Sequence, residues 1–536
     1  MIGRPAWLIV PAAFLALFLA WPVTATLAQL TPDGLAWLAA PYARGRILGA
    51  VTQAVLSLVL ALAVAAPLAW LHHSRRVAGS RWMIALHAAP FVMPVFVVVF
   101  GLRASVGADG WLAGLGGPDL MAAFGPLGAV VLANATYNAG FAARLGASIL
   151  DGRPRRLEEA AAVLGAPPRS VAWRVSGPLL APALASVALL VLLFSLGSFA
   201  VVLLLGEGEV ETIETLLFAN RSGAFPRLDR SAALAAAQLL VNGFLVALAL
   251  RLARRTPVAD AARRKPRASL PLTFLLGGLA LLSAAPLVAV LVGGFRLRGE
   301  WSLTPWQTLL DAAAPGHLSG FDVGTAIAWS LGYAAVATLA AVGLALALAY
   351  GLRRLGRLRR AAEWLAALPL AASSLTLGYG LAAAFGAGFV VFGATWLPGR
   401  SPLLVVAAHT LVAFPLAARL VVPAVDRLDA RLEQAAATLG ARPAAQWARI
   451  HLPALVPALL ASAALAAATS LGDFGASLLL APGDALGLTV WIQRHGGPGS
   501  FDPLARAQST ALAGLLLVLT LAVLALAAPR RKEAAP

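Results

Sequence analysis

Twelve apolar runs of about 20 residues succeed one another along this chain, centred near residues 17, 58, 92, 133, 191, 241, 282, 337, 374, 412, 466 and 516. That is the length an α-helix needs to cross a hydrocarbon core of about 30 Å. Leu, Ala and Val fill the runs without the alternation of a lipid-facing strand, so helices rather than a barrel must satisfy the backbone inside lipid. With 60% hydrophobic and 12% charged side chains over 536 residues, the chain is too apolar for a water-soluble globule. The expectation is an all-α integral membrane protein of about 12 transmembrane helices.

A repeat divides those helices into two sets. The segment from Arg156 to Leu184, RLEEAAAVLGAPPRSVAWRVSGPLLAPAL, returns from Arg431 to Leu459 as RLEQAAATLGARPAAQWARIHLPALVPAL. The copies lie 275 positions apart in gapless register, and sixteen of twenty-nine paired positions are identical. The register continues into the next apolar run, where Ser195-Leu196-Gly197-Ser198-Phe199 pairs with Ser470-Leu471-Gly472-Asp473-Phe474. The chain therefore reads as two tandem six-helix halves, 1–250 and 271–536, joined by a basic segment at 251–270. The repeated loops occupy 151–178 and 425–453. Around them the apolar runs have diverged to generic Leu, Ala and Val. An elbow merely resting on the membrane surface would be duplicated too, but it would have no reason to outlast its surroundings. Better preservation of the loops marks them as contact surfaces for something outside the membrane.

The formal net charge is +18, yet its placement argues against nucleic acid. With Arg4 inside and the runs alternating sides, most of the 41 Lys and Arg fall on or beside cytoplasmic segments. By the positive-inside rule both termini are cytoplasmic. Arg251, Arg254, Arg255, Arg263, Arg264, Lys265 and Arg267 gather between the sixth and seventh runs, where they read as a topology determinant in contact with anionic membrane lipid. Ala25-Thr26-Leu27-Ala28 looks like a signal cleavage site, but the apolar stretch before it is longer than a signal core, so the first run is read as a retained anchor. Cysteine is absent, which excludes disulfides and thiolate chemistry.

Within each loop, Glu-x-Ala-Ala-Ala followed by Leu-Gly predicts a short helix that Gly165 or Gly440 ends in a left-handed conformation. Pro168 and Pro443 prevent immediate resumption, a second short helix carries Trp173 and Arg174 or Trp447 and Arg449, and Pro178 and Pro453 mark the start of the next span. At these residues the sequence resembles the permease subunits of ABC importers. Glu158, Ala160, Ala161 and Gly165, and again Glu433, Ala435, Ala436 and Gly440, match the family's EAA-type loop, with Glu159 in the first copy replaced by Gln434 in the second. The resemblance implies the type I importer architecture. It also implies a coupling helix in each loop that docks on a homodimeric ABC ATPase, a periplasmic substrate-binding protein on the other face, and a place in the bacterial inner membrane. Fused two-half permeases occur in the branch importing thiamine and in the branch importing ferric iron. Pro94-Val95-Phe96-Val97-Val98-Val99-Phe100-Gly101, Gly110-Trp111-Leu112-Ala113 and Ser470-Leu471-Gly472-Asp473-Phe474-Gly475 resemble the thiamine branch.

The chemistry of ATP hydrolysis is missing. The only lysines, Lys265 and Lys532, stand between Arg264 and Pro266 and between Arg531 and Glu533, so no phosphate-binding loop can form and the chain is not itself an ATPase. No histidine shows metal-ligand spacing with a carboxylate. His87 and His409, inside predicted spans, are expected to be hydrogen-bonded interior side chains. Asp473 lies deep in the eleventh run, opposite Ser198 in the repeat, and must face either protein or a water-filled path. It would stabilise the thiazolium cation of thiamine in passage, or it would cap a helix break near Gly472 and Gly475. Phe199 and Phe474 form a gate, or simply pack. Glu207, Glu209, Glu211 and Glu214 read as an external acidic loop facing the binding protein or drawing in cations, or as a solvated loop. A twelve-helix carrier driven by an ion gradient is the rival architecture, but such carriers have no use for the repeated loop.

Overall fold

The computed structural model describes residues 5–75, 77, 79–223, 225–253, 267–317, 319–353, 355–386, 389–391, 394–396, 400–497 and 502–527. Most of the basic segment between the halves, 254–266, lies outside the described residues.

Eleven described helices are long and apolar enough to cross a membrane, and a bent pair makes a twelfth. In the first half the spans are Ile9–Leu27, Pro41–Ser74, Val95–Gly114, Leu120–Asp151, Pro168–Leu196 and Leu228–Ala253. In the second they are Leu270–Gly293, Val323–Leu352, the bent pair Gly356–Ala371 and Ser374–Phe385, Pro402–Asp426, Pro443–Gly472 and Pro503–Leu526. The third element is broken in both halves. In the first, Ser80–Val92 stops ahead of Val95–Val106 at Met93 and Pro94, and in the second the two pieces meet at 95° around Ala372 and Ser373. Pro94 has no N–H to continue the first helix, and Ser373 instead caps a new one by accepting the amide of Thr376. Strand content among the described residues is two short antiparallel hairpins, Arg296–Leu297 with Glu300–Trp301 and Phe389–Val391 with Ala394–Trp396.

The halves exchange their first spans. Helix Leu270–Gly293, which opens the second half, packs on the broken third element of the first, and Trp21–Leu27 packs on Ser374–Phe385 in return. Glycine makes both crossings close. A Cβ on Gly101 would fall on the backbone carbonyl of Pro286, and one on Gly380 would lie 3.2 Å from the carbonyl oxygen of Pro22. Lipid tails are as apolar as the side chains, so burial alone does not drive helices together, and close backbone approach with interhelical hydrogen bonds takes over. One such bond is Tyr379, whose hydroxyl donates to Gln29 Oε1 at 2.6 Å across the exchange. The largest core cluster draws on both halves, joining Met93, Phe96 and Phe199 to Leu375, Tyr379 and Phe474.

Gly101→Ala forces a backbone to move and is expected to destabilise the protein by about 1–3 kcal/mol. Gly343→Ala, in a helix with open space around it, should be neutral or stabilising by up to about 1 kcal/mol. Thermal unfolding of the two detergent-purified variants compares them directly. Equal midpoints would mean the crossing is not close-packed.

Candidate functional site

Each repeated loop begins with a nine-residue helix, Arg155–Val163 and Ala430–Thr438. Both end in the same hydrogen-bonded cap. Gly165, at φ +83°, gives its amide to Ala162 while Ala166 gives its own to Ala161, and Gly440, at φ +79°, does likewise with Ala437 while Ala441 reaches Ala436. Nothing stands within 4 Å of the position a Cβ would take on either glycine, so the left-handed backbone, not space, requires them. The second short helix does not stop before the span as Pro178 and Pro453 suggested. It runs on through a wide π turn at 172–176 and 447–451, because those prolines have no N–H to return to the carbonyls of Arg174 and Arg449.

The conspicuous glutamates of the loops turn inward. Glu158 accepts the hydroxyl of Ser176 at 2.6 Å and lies 3.6 Å from Arg153, and Glu433 pairs with Arg353 at 2.8 Å and with His451 at 3.4 Å. Ser176 and His451 occupy matched positions, 275 apart, so each loop glutamate lies against the same position of its own half, through a hydrogen bond in the first and a 3.4 Å approach in the second. His451 is further held by Tyr350, whose hydroxyl meets Nδ1 at 2.8 Å. What faces out is Glu159 with Ala160, Gln434 with Ala435, and an apolar tip: Val163 and Leu164 are 88% and 87% exposed, Leu439 86%. Ala161 and Ala436 are half-buried. Both loops therefore end in the same exposed apolar tip.

The fifth span of each half ends abruptly, at Leu196 and at Gly472, and a short helix restarts at Phe199 and Gly475. A break inside lipid leaves backbone and side-chain polar groups to be satisfied internally. In the first half Asn134 donates to Ser198 Oγ at 3.2 Å, and Gln53 donates to the carbonyl of Ser195 at 2.9 Å. In the second His409 stands 3.2 Å from Asp473 Oδ1 and bonds Ser470 and Ser477 at 2.7 and 3.0 Å. Asn134 and His409 are again matched positions, as are Ser198 and Asp473. The breaks are thus tied by equivalent pairs, one neutral and one ionisable. His87 is likewise a bonded interior histidine, 3.0 Å from Ser283 across the exchanged spans.

One residue past each break, Phe199 and Phe474 meet face to face, ring centroids 5.5 Å apart and planes 14° from parallel. They come from opposite halves at identical repeat positions, so the contact lies where the two halves face one another. Phe96 closes edge-on at 5.0 Å to Phe474, and Phe218 at 5.7 Å to Phe199. All four breaking residues, Ser198, Phe199, Asp473 and Phe474, are buried.

The chain matches the family described as the binding-protein-dependent transport system inner membrane component over residues 34–258 and again over 340–531. It belongs to that family. A chain of this kind is the permease subunit of an ABC importer: it supplies the membrane path, while a separate ATPase and a substrate-binding protein complete the system. The thiamine transport system permease protein of Salmonella typhimurium is 28% identical over 95% of this chain and 91% of its own length. The Escherichia coli K12 protein of the same name is 29% identical over 87% and 85%. The molybdenum transport system permease protein of Mycobacterium tuberculosis is 32% identical over 44% of this chain and 87% of its own length, and so resembles one half. Membership excludes the gradient-driven carrier.

The acidic loop of this permease is not a single external cluster. Glu211 pairs with Arg46 at 3.3 Å, burial pushing its carboxyl up while the guanidinium pulls it down. Glu214 is 1% exposed and accepts Gln238 Nε2 at 2.7 Å. It drops inside because Thr212 begins the helix Ile213–Ser222 with a capping box, which turns the chain back into the protein.

Removing His409 alone leaves Asp473 as an uncompensated interior carboxylate. His409→Asn should therefore cost about 3–5 kcal/mol, and adding Asp473→Ser, which copies the Asn134–Ser198 pair of the first half, should recover most of that loss. Thermal unfolding of the purified variants measures both. A double variant no better than the single one would break the equivalence of the pairs.

Proposed function

We propose that this permease carries thiamine inward, powered by two copies of one ABC ATPase docked on the loops at 155–166 and 430–441. The observation that carries the substrate is the pair of thiamine permeases similar over 85% to 95% of either chain. Supporting the docking are the two outward tips of Leu164 and Leu439, equivalent in sequence and equally exposed. Glu159, Ala160, Ala161 and Gly165, with Ala435, Ala436 and Gly440, form the faces presented to the ATPase, while Glu158 and Glu433 hold those faces in place. A periplasmic binding protein delivers substrate to the opposite side, and both termini lie in the cytoplasm of a bacterial inner membrane. Ser198, Phe199, Asp473 and Phe474 mark the constriction of the path: the phenylalanines form the gate, and Ser198 and Asp473 fix the breaks that place it.

Two experiments test this reading. Labelled thiamine uptake, measured beside labelled ferric iron in cells lacking and regaining the gene, should be lost and restored for thiamine alone. It should stop on ATP depletion and survive an uncoupler. Rescue of iron uptake only would discard the vitamin. Gly165→Asp and Gly440→Asp force a side chain into a left-handed backbone at the tip, so each should leave the permease in the membrane at normal levels yet reduce uptake at least tenfold and abolish co-purification of the ATPase. Normal uptake with a bound ATPase would sink the docking assignment.

A further inference from the structure

The fourth span of each half ends at an aspartate, Asp151 and Asp426, at matched positions 275 apart. Only residues 152–154 and 427–429 separate them from the loop helices Arg155–Val163 and Ala430–Thr438. Each carboxylate therefore sits at the hinge from which its loop hangs, and its partner decides which other element moves with the loop.

The partners come from different elements. In the first half, His73 Nδ1 stands 2.7 Å from Asp151 Oδ1, in the last turn of the second span, Pro41–Ser74. In the second half Arg359 grips Asp426 with both terminal nitrogens, Nη1 to Oδ1 at 3.1 Å and Nη2 to Oδ2 at 2.6 Å. Its Nε donates to Glu363 at 2.8 Å, one turn along the same helix, which holds the guanidinium in place. A two-pronged contact of this kind fixes direction as well as distance.

Both partners belong to elements that also hold a fifth-span break. From His73 the second span runs back 20 residues, about 30 Å, to Gln53, which donates to the carbonyl of Ser195 at 2.9 Å. Arg359 opens the helix Arg359–Ala367 in the first piece of the bent third element. Past the bend Ser374 Oγ accepts the amide of Ala476 at 2.9 Å, two residues beyond Phe474. Each loop is thus joined to its break by two routes: directly through the fifth span, and from its entry aspartate through the second span or the bent element. A helix driven from one end is free to turn about its own axis as well as to shift along it. A second attachment at the break removes that freedom.

We propose that Asp151 and Asp426 are positioning residues of ATP-driven transport, tying the front of each loop to a second element so that the break moves as the loop moves. This rests on the docking of an ATPase at the loops. The side chains are 47% and 34% exposed, and ion pairs so open to solvent add little to stability, so their loss is read in coupling and not in folding.

The test uses the complete importer, permease with ATPase and binding protein, in proteoliposomes, reading labelled thiamine taken up and ATP hydrolysed in one sample. Asp151→Ala, Asp426→Ala and Arg359→Gln should each lower uptake per ATP at least fivefold, with membrane level and co-purified ATPase within twofold of wild type. Asp426→Ala with Arg359→Gln should be no worse than the poorer single variant, because both changes open one contact. Arg359→Lys, which keeps the charge and one bond, should retain at least half of the wild-type ratio. A second readout needs no cargo. The chain has no cysteine, so spin labels on Leu203→Cys and Leu478→Cys, matched positions just past the phenylalanines, report the separation of the halves. Adding ATP with vanadate should change that distance, and Asp151→Ala or Asp426→Ala should at least halve the change. A full change in distance, or uptake per ATP within twofold of wild type, overturns the inference. So does loss of the ATPase from the aspartate variants, which would make these carboxylates part of the docking face. Failure of the docking reading looks different: Gly165→Asp and Gly440→Asp would then keep the ATPase, whatever the aspartate variants do.

Discussion

Inside a bilayer a helix that stops must still find partners for its polar groups, because no water is available to take them. The rest of this permease is arranged around that constraint. The third element and the fifth span of each half are interrupted, and the interruptions pack on one another: Gly472 lies against Pro94, and Gly475 against the backbone of Leu375. Ser195, Ser198, Asn134 and Gln53 close one break, and Ser470, Asp473, His409 and Ser477 the other. Continuous helices would be cheaper in lipid. Their interruption places two phenylalanines where the halves meet.

Duplication explains the symmetry of the contacts, and divergence explains their chemistry. Positions 134 and 409, 176 and 451, 198 and 473, and 199 and 474 do the same mechanical work in the two halves. Only the aromatic pair is chemically identical, since it is the pair whose members must meet each other. The other positions need only a partner within their own half, so an amide and hydroxyl in one serve where an imidazole and carboxylate serve in the other. A fused chain allows this drift. Two copies of a single-half permease would have to change both sites at once.

Much of this was legible in the sequence. The run lengths foretold the spans, except that the runs centred near 92 and 374 fall on the breaks at Met93–Pro94 and Ala372–Ser373; Gly165 and Gly440 foretold the caps, and the register aligned Phe199 with Phe474. The exchange of first spans was not legible, although Pro22 and Pro286 against Gly380 and Gly101 carried its trace. Contact between distant helices depends on which small residues face each other, and a run of Ala, Gly and Leu does not announce its facing. The interior position of Glu214 was missed for a related reason. It was read with its exposed neighbours as one loop, while the Thr212 and Thr215 capping box that begins a helix there went unused. The inward turn of Glu158 and Glu433 depended on partners outside the motif, Ser176 and Arg353.

The uneven preservation of the repeat follows from the mechanical path between loop and gate. From Pro168 the backbone is helical without a stop to Leu196, and from Pro443 to Gly472. At 1.5 Å per residue each is a strut of about 40 Å. One end of it carries the exposed tip, and the other stops one or two residues short of the stacked phenylalanine. On the proposed docking, a force applied at the tip would be carried along this strut towards the ring, provided the tip cannot swivel on it. Glu158 on Ser176, and Glu433 on His451, are the contacts that prevent swivelling, since they tie each tip helix to the first turns of its own strut. The residues between, facing lipid or other helices, need only be apolar and of suitable volume. Along this path Gly165 and Gly440 at the tip, Glu158 and Glu433 at the joint and Phe199 and Phe474 at the far end are identical between the halves, while Ser176 and Ser198 stand opposite His451 and Asp473.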